Sequence, residues 1–253
     1  MERIISADNP KVQQWARLKQ KKYRKEQGAF LLESARGIQE ALDQGVRPQA
    51  ILFREGTAVP EGYQQHLPGI AAYILTEKAF QKLTATENSM GILGVFISKK
   101  NSLRELLTEE RILFLDGIQD PGNLGTILRT ATAFGIYGII LGNGTVDLYN
   151  EKVLRSTLGG LFPLKIMEGT CKELRLLQKH GYRIAGGDLT GIPFQEWQPT
   201  GKWVLGIGGE NKGLSEDFRE IMDQGVTIPM PGPMESLNAG VAAGILMSKF
   251  TGE

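Results

Sequence analysis

Apolar positions along the chain fall into two successive patterns. In the first, short apolar runs at 30–32, 50–53, 72–75 and 92–97 read as strands, separated by helical stretches such as 35–42. Upstream of them, Asn9-Pro10 reads as a helix cap followed by proline at the first helical position, and Gly28 as the stop, which predicts one helix between them. A polar link, Lys99-Lys100-Asn101-Ser102, leads into 103–110 and a new alternation begins. Strand-like runs at 112–115, 138–141, 164–167, 183–185, 203–207 and 226–228 now alternate with helix-like segments at 124–134, 152–158, 172–179, 216–222 and 239–250. Regular strand–helix alternation predicts a parallel sheet covered on both faces. The expected fold is α/β throughout, with a small α/β domain over 1–106 and a second α/β domain over 107–253.

At 253 residues and 41% hydrophobic content the chain can bury a substantial core. Its formal net charge of +1 gives no global argument for a polyanionic partner. The distribution is more informative: residues 1–106 carry 16 Lys and Arg against 11 Asp and Glu, a net of +5, and the remainder carries 13 against 17, a net of −4. A basic front on an acidic rear fits a polyanion-docking module joined to something else. The lone Cys171 excludes an internal disulfide framework and suits a reducing compartment. With only His66 and His180 besides, metal clusters and histidine triads have little support. Met1 to Ser6 lack the apolar core of a signal peptide, and no apolar run reaches the roughly 20 residues of a membrane span, so a soluble cytoplasmic protein is expected.

Within the front helix Lys11, Arg17, Lys19, Lys21, Lys22, Arg24 and Lys25 are interleaved with Trp15 and Tyr23. Such a pattern serves either to contact phosphates and stack on bases or as a solvated cationic face. Lys11, Lys21, Lys22, Arg24 and Lys25 are the candidates for contact with nucleic-acid phosphates.

Three segments of the second domain carry candidate chemistry. Asp116 to Gly125 follows a strand and opens a helix, where α/β sheets bind ligands. On that helix Leu124, Ile127, Leu128, Ala131 and Phe134 form the expected buried stripe, and Arg129 lies about 140° from Leu124, beside Thr126 and Ala133. Arg129 is either a surface arginine or a fork for a phosphate. Gly206-Ile207-Gly208-Gly209-Glu210-Asn211-Lys212-Gly213 again ends a strand, followed by Ser215 as an expected cap. Its glycines let a ligand approach the backbone, yet their spacing does not fit a dinucleotide fingerprint. A proline-braced loop, 228–238, then precedes a helix rich in small residues, with Ser236 or Asn238 as cap.

Together these segments resemble the SpoU/TrmH family of SPOUT-class RNA ribose methyltransferases over roughly residues 110 to 250. Asp120-Pro121-x-Asn123-x-Gly125-x-Ile127-x-Arg129-Thr130-Ala131 is similar to the family's first motif, Gly208-x-Glu210-x-x-Gly213 to its second, and Ile228-Pro229-Met230-x-Gly232 with Ser236-Leu237-Asn238 to its third. The front half resembles the ribosomal-protein-like substrate-binding extension through Asn9-Pro10-Lys11-Val12, the basic run and Phe30-Leu31-Leu32-Glu33. One departure is Ala239-Gly240, where the family usually has Val-Ser.

The resemblance implies a deep trefoil knot, a homodimer formed through the second domain, and S-adenosyl-L-methionine as the methyl donor. It implies that Gly208, Ile228 and Leu237 hold the adenosine, with Gly209 and Met230 nearby, and that Asn123, Arg129, Glu210, Ser236 and Asn238 serve catalysis. The expected reaction is 2′-O-methylation of a ribose, in ribosomal rather than transfer RNA, without a metal. Rival readings are base methylation, a non-catalytic RNA-binding assembly factor on the same fold, and a nicotinamide oxidoreductase, which would need the missing fingerprint.

Overall fold

The computed structural model describes residues 1–86, 89–210 and 212–251. In chain order the front elements are β1 (Glu2–Ile4), α1 (Pro10–Arg17), α2 (Lys21–Gln27), β2 (Ala29–Leu32), α3 (Ala35–Asp43), β3 (Ala50–Arg54), α4 (Glu61–Gln64), β4 (Ala71–Leu75), α5 (Glu77–Gln81) and β5 (Ile92–Ile97). They build a five-stranded sheet in the order β1-β4-β3-β5-β2, with β1, β4 and β3 parallel and β5 antiparallel to both β3 and β2.

The single basic helix expected before Gly28 is two helices. Asn9 caps α1 by accepting from the Lys11 amide, with Pro10 at its first position, as the sequence predicts. The break at residues 18–20 comes from Arg24, whose Nη1 donates to the Leu18 and Lys19 carbonyls at 2.8 Å each. Those carbonyls, which a continued helix would have used internally, are satisfied by a side chain instead. Gly28 then ends α2 in the left-handed conformation, φ +59°, where glycine carries no steric penalty.

The remaining elements are α6 (Leu103–Leu106), β6 (Arg111–Asp116), α7 (Pro121–Ala133), β7 (Gly138–Leu141), α8 (Glu151–Thr157), β8 (Lys165–Glu168), α9 (Cys171–Lys179), β9 (Arg183–Pro193), β10 (Trp203–Gly208), α10 (Glu216–Arg219), β11 (Gln224–Thr227) and α11 (Ala239–Thr251). Six of these strands form an all-parallel sheet in the order β11-β9-β10-β6-β7-β8. The trefoil knot implied by the resemblance is consistent with this order. Phe114 of β6 stacks on Phe218 of α10 at 5.3 Å in the middle of the core that also holds Ile112, Ile140, Leu174, Ile184 and Val204.

The chain separates into two compact units, and the front one is discontinuous: Met1–Lys99 with Asp147–Phe162 against Lys100–Val146 with Pro163–Glu253. The segment 147–162, placed by the sequence reading in the second domain, is held to the front unit by aromatic contacts. Tyr149 stacks on Phe30 at 4.4 Å, Phe162 meets Phe96 at 5.2 Å, and Asp147 pairs with Arg24. Neither the stacking partners nor the ion pair is encoded in local periodicity. Among the described residues no helix is long and apolar enough to cross a membrane.

Two glycines show how tightly β9 and β10 meet the helix beneath them. A Cβ on Gly206 would lie 2.2 Å from the Phe218 ring, and one on Gly186 would lie 2.6 Å from Leu214 and 2.7 Å from Phe218. Because Phe218 is fully buried against Phe114, it has nowhere to move. Gly206→Ala is expected to cost about 1–3 kcal/mol by overpacking, measured by urea unfolding. The double variant Gly206→Ala/Phe218→Leu should recover part of that loss, and strict additivity of the two changes would contradict the contact.

Candidate active site

β6 and β10 are neighbours in the sheet, with Gly208 opposite Asp116 at their C-terminal ends. Here the strand order reverses, because β6 is followed outward by β7 and β8 on one side while β10, β9 and β11 lie on the other. In parallel sheets such a switch point is where loops diverge and leave a crevice. The loops after β6, β7, β10 and β11 reach it, together with residues 187–190 of β9 itself.

The loop after β10 is pressed onto its surroundings by backbone contact. The Gly209 amide donates to the Asp116 carbonyl at 3.0 Å, and the Gly213 amide to the Gly209 carbonyl at 2.8 Å. A Cβ on Gly208 would sit 2.1 Å from the Gly213 carbonyl carbon, and one on Gly209 would sit 2.5 Å from the Gly117 oxygen. Only glycine fits at either place, because the missing side chains are what lets the loop fold back on Gly213 and against the Gly117 carbonyl. Asp116 adds a second tie, its Oδ2 accepting from the Ser215 amide at 2.7 Å.

Three chain segments far apart in sequence meet at the Glu210 carboxylate. Its Oε1 accepts from Asn123 Nδ2 at 2.7 Å and from Asn238 Nδ2 at 2.6 Å, while Asn238 Nδ2 also donates to Asn123 Oδ1 at 2.8 Å. Each asparagine is itself fixed by a helix start. The Asn123 amide donates to Asp120 Oδ1 at 2.8 Å in the first turn of α7, and Asn238 Oδ1 accepts from the Gly240 and Val241 amides at the start of α11. Asn238 is therefore the cap of the last helix and a member of the cluster at once; the amide oxygen serves one role and the amide nitrogen the other.

A cleft of about 510 Å³ opens beside this cluster, lined by Gly208, Gly209, Glu210, Ile228, Met230, Ser236 and Leu237, among others. That volume lies within the roughly 300–1,000 Å³ usual for small-molecule sites. Five predicted holding residues and two of the five predicted catalytic ones thus share one cavity. Asn123 borders a second, adjoining cleft together with Asp116, Gly117, Asp120 and Glu210.

Arg129 is placed differently. It is exposed on α7, outside the linings of both clefts, and forms no hydrogen bond or ion pair among the described residues. Phe134, expected in the buried stripe of α7, is 36% exposed because it sits at the C-cap, where the helical path has ended.

The front-unit candidates divide. Arg24 is buried, and its guanidinium is engaged by Asp147 as well as the Leu18 and Lys19 carbonyls, so it organises the unit rather than offering charge to solvent. Trp15, read as a stacking residue, is packed edge-on against Tyr73 at 5.2 Å in the core. Lys11 is held by the Tyr73 hydroxyl and Glu2, both at 3.0 Å, and these hydrogen bonds raise its pKa. Lys21, Lys22 and Lys25 remain on the outer face, with Lys22 and Arg17 flanking the Tyr23 ring.

Two residues of the cleft wall escaped the sequence reading: Asp188, in the middle of β9 just past its pairing with β10, and Arg219, which pairs with it from α10. The available signal was Gly186-Gly187 before an acid, but the predicted strand stops at 185 whereas β9 runs on to Pro193.

Known proteins similar to the chain bear on its family and fold. A family model described as the SpoU rRNA Methylase family matches residues 110–248, and one described as an MRM3-like substrate binding domain matches residues 9–94. The chain is 35% identical, over the whole of both chains, to the 23S rRNA (guanosine(2553)-2′-O)-methyltransferase RlmP of Bacillus subtilis (strain 168). It is 29% identical to a 23S rRNA (uridine(2479)-2′-O)-methyltransferase of Streptomyces viridochromogenes, over 95% of this chain and 89% of that one. Among solved structures, an AdoMet-bound rRNA methyltransferase from Sinorhizobium meliloti superposes with a TM-score of 0.88 at 28% identity, covering 98% and 96% of the two chains.

The cluster at Glu210 makes a charge prediction. Asn238→Asp replaces a donor to Glu210 by a second carboxylate at the same distance, which repels when both are ionised. The variant should melt below the wild-type protein at pH 8, and the deficit should shrink toward pH 5, where one shared proton can restore the contact. Differential scanning calorimetry at the two pH values reads this; a deficit that is the same at both would show that the side chain acts only as a cap.

Proposed function

Because the chain belongs to the SpoU rRNA methylase family, we propose that it transfers a methyl group from S-adenosyl-L-methionine to the 2′-hydroxyl of a ribose in ribosomal RNA. The observation that carries this reading is the convergence of Gly208, Gly209, Ile228, Met230 and Leu237 on one cleft whose edge is the Asn123–Glu210–Asn238 cluster.

The residues present fit an adenosine. Gly208 and Gly209 line the cleft without side chains, Ile228, Met230 and Leu237 supply apolar walls for a flat ring, and the proline-braced loop limits the freedom that binding must freeze. When bound, the sulfonium supplies an electrophilic methyl group, so the protein needs to orient the attacking oxygen and help remove its proton. The ribose oxygen bonds to the methyl carbon as the carbon–sulfur bond breaks, and the hydroxyl proton leaves to a phosphate oxygen or water. Glu210, clamped by two asparagines, fixes the loop that borders the cleft. Ser236, exposed on the cleft lining, offers a hydroxyl to the same space.

Arg129 stays protonated at any ordinary pH. Its role in this reading is to grip the phosphate next to the target ribose and stabilise the developing alkoxide. Its distance from both cleft linings within one chain favours a homodimer in which a second copy completes the site. α11 presents Gly240, Val241, Gly244, Ile245 and Ser248 along a shallow groove with Phe194, and Val241 is 52% exposed, which offers such a copy an apolar face. RNA docks on the front unit through Lys21, Lys22 and Lys25, with Lys11 beside them, in a cytoplasmic protein.

Mass-spectrometric mapping of RNA from a deletion strain should show one 2′-O-methyl group missing from ribosomal RNA. Loss from transfer RNA alone, or loss of a base methyl group, would redirect the assignment. Arg129→Lys keeps the charge but not the fork and should lower kcat at least tenfold with little change in binding of S-adenosyl-L-methionine; near-normal turnover would remove the bidentate role. Replacing Lys21, Lys22 and Lys25 by alanine should weaken RNA affinity and flatten its dependence on salt by about two to three units of logarithmic slope, measured by fluorescence anisotropy.

A further inference from the structure

Arg219 is a cation on the wall of the donor cleft that methyl transfer, as derived above, does not use. Its guanidinium is fixed from two sides: Nη1 pairs with Asp188 Oδ2, and Nε donates to the Leu214 carbonyl at 3.2 Å. Asp188 is itself immobile. Only 3% of its side chain is exposed, and its Oδ1 accepts from both the amide and the hydroxyl of Thr190 at 2.9 and 2.8 Å. Burial alone would push the Asp188 carboxyl up, but the two Thr190 donors and the Arg219 charge hold it below the usual carboxylate range, so the pair is ionised at neutral pH.

Asp188 spends its oxygens on Thr190 and Arg219 and has little left for a ligand. Arg219 has donors to spare: its side chain is 39% exposed, and Nη2 makes no hydrogen bond among the described residues. Nη2 lies near the close turn of the β10 loop, 3.6 Å from where a Cβ on Gly213 would be. A guanidinium anchored by two of its nitrogens and facing a cavity with the third is prepared for an anion, because little rotamer freedom remains to be lost. Lys212, the other cation of the cleft, is an exposed side chain without such an anchor.

We infer that Arg219 binds the α-carboxylate of the methyl donor, with Asp188 as a positioning residue that holds the guanidinium in place. The inference rests on the reading of this cleft as the S-adenosyl-L-methionine site. It assigns the amino-acid end of the donor to the β9–α10 side of the cleft, away from the apolar wall formed by Ile228, Met230 and Leu237.

The test is calorimetric and needs no turnover. The full chain is titrated with S-adenosyl-L-methionine and with its decarboxylated analogue, which keeps the sulfonium and the amine. A charge-assisted hydrogen bond is worth about 1.5–3 kcal/mol, so the wild-type protein should bind the analogue about 10- to 150-fold more weakly. In Arg219→Ala and Arg219→Gln that ratio should fall below about threefold. In both variants affinity for 5′-methylthioadenosine, which lacks the amino-acid tail, should stay within about twofold of wild type and so report an intact cleft. Asp188→Asn should weaken S-adenosyl-L-methionine more than 5′-methylthioadenosine. A wild-type ratio that persists in both Arg219 variants, or one that collapses in Lys212→Ala instead, overturns the assignment. Failure of the wild-type chain to bind S-adenosyl-L-methionine at all would overturn the cofactor reading, and this inference with it.

Discussion

A single carboxylate oxygen, Glu210 Oε1, joins three parts of the chain that have no other reason to meet. Asn123 opens α7, Glu210 follows β10, and Asn238 opens α11; all three amide and carboxylate groups close a triangle of hydrogen bonds between 2.6 and 2.8 Å. Asn123 is buried while Glu210 and Asn238 are exposed, so solvent screens these charge-assisted contacts below the roughly 1.5–3 kcal/mol each would be worth in a dry site, and the closed geometry of the triangle matters more than any one bond. The triangle therefore determines where α11 begins, and with it the path of the loop 228–238 that forms one wall of the cleft. The cleft and its polar edge are two sides of the same small cluster.

Backbone proximity is the second constraint, and it works with the first. The Gly209 amide reaches the Asp116 carbonyl, and the Gly208 α-carbon lies against Gly213, so the β10 loop doubles back upon the end of β6. Had either glycine carried a side chain, Glu210 would be lifted away from Asn123. Glycine spacing that is wrong for a dinucleotide turn is right for this tight return, in which the needed feature is a gap in the side-chain layer rather than a cradle for pyrophosphate.

Much of this was legible in the residues, for identifiable reasons. Strand–helix alternation at regular intervals is a strong local signal, so the parallel sheet and the helices α7 and α11 follow from it. The cap at Asn9 and the stop at Gly28 are likewise local chemistry; α7, expected from 124, starts one turn earlier, at Pro121 after its cap Asp120. What escaped depends on contacts distant in sequence. Arg24 looks like one more cation in a basic run, but a half-buried carboxylate 123 residues away and two backbone carbonyls engage it, and the helix breaks there. Trp15 looks like a base-stacking ring until Tyr73 covers it. Tyr149 and Phe162 carry no periodic signal at all, yet their ring contacts fold the segment 147–162 onto the front unit. Arg129 was selected by motif; its position on an exposed helix face is set by packing, and a single chain does not bring it to the cleft.

The departure at Ala239-Gly240 also has a packing explanation. Gly240 backs onto α7, where a Cβ would come within 3.3 Å of Thr126 Cγ2 and 3.2 Å of Asn238 Oδ1, and Ala239 is 5% exposed. Small residues at both positions let the first turn of α11 lie close against α7, and that closeness brings Asn238 Nδ2 within 2.8 Å of Asn123 Oδ1. A serine at position 240 would add a hydroxyl to a space already tighter than ordinary van der Waals contact, and Thr126 or Asn238 would have to give way. What is lost as a possible hydrogen-bond donor is regained as precision in the placement of an existing one. The Gly240 amide, meanwhile, still caps onto Asn238 Oδ1 at 3.0 Å, so the helix start needs no hydroxyl there.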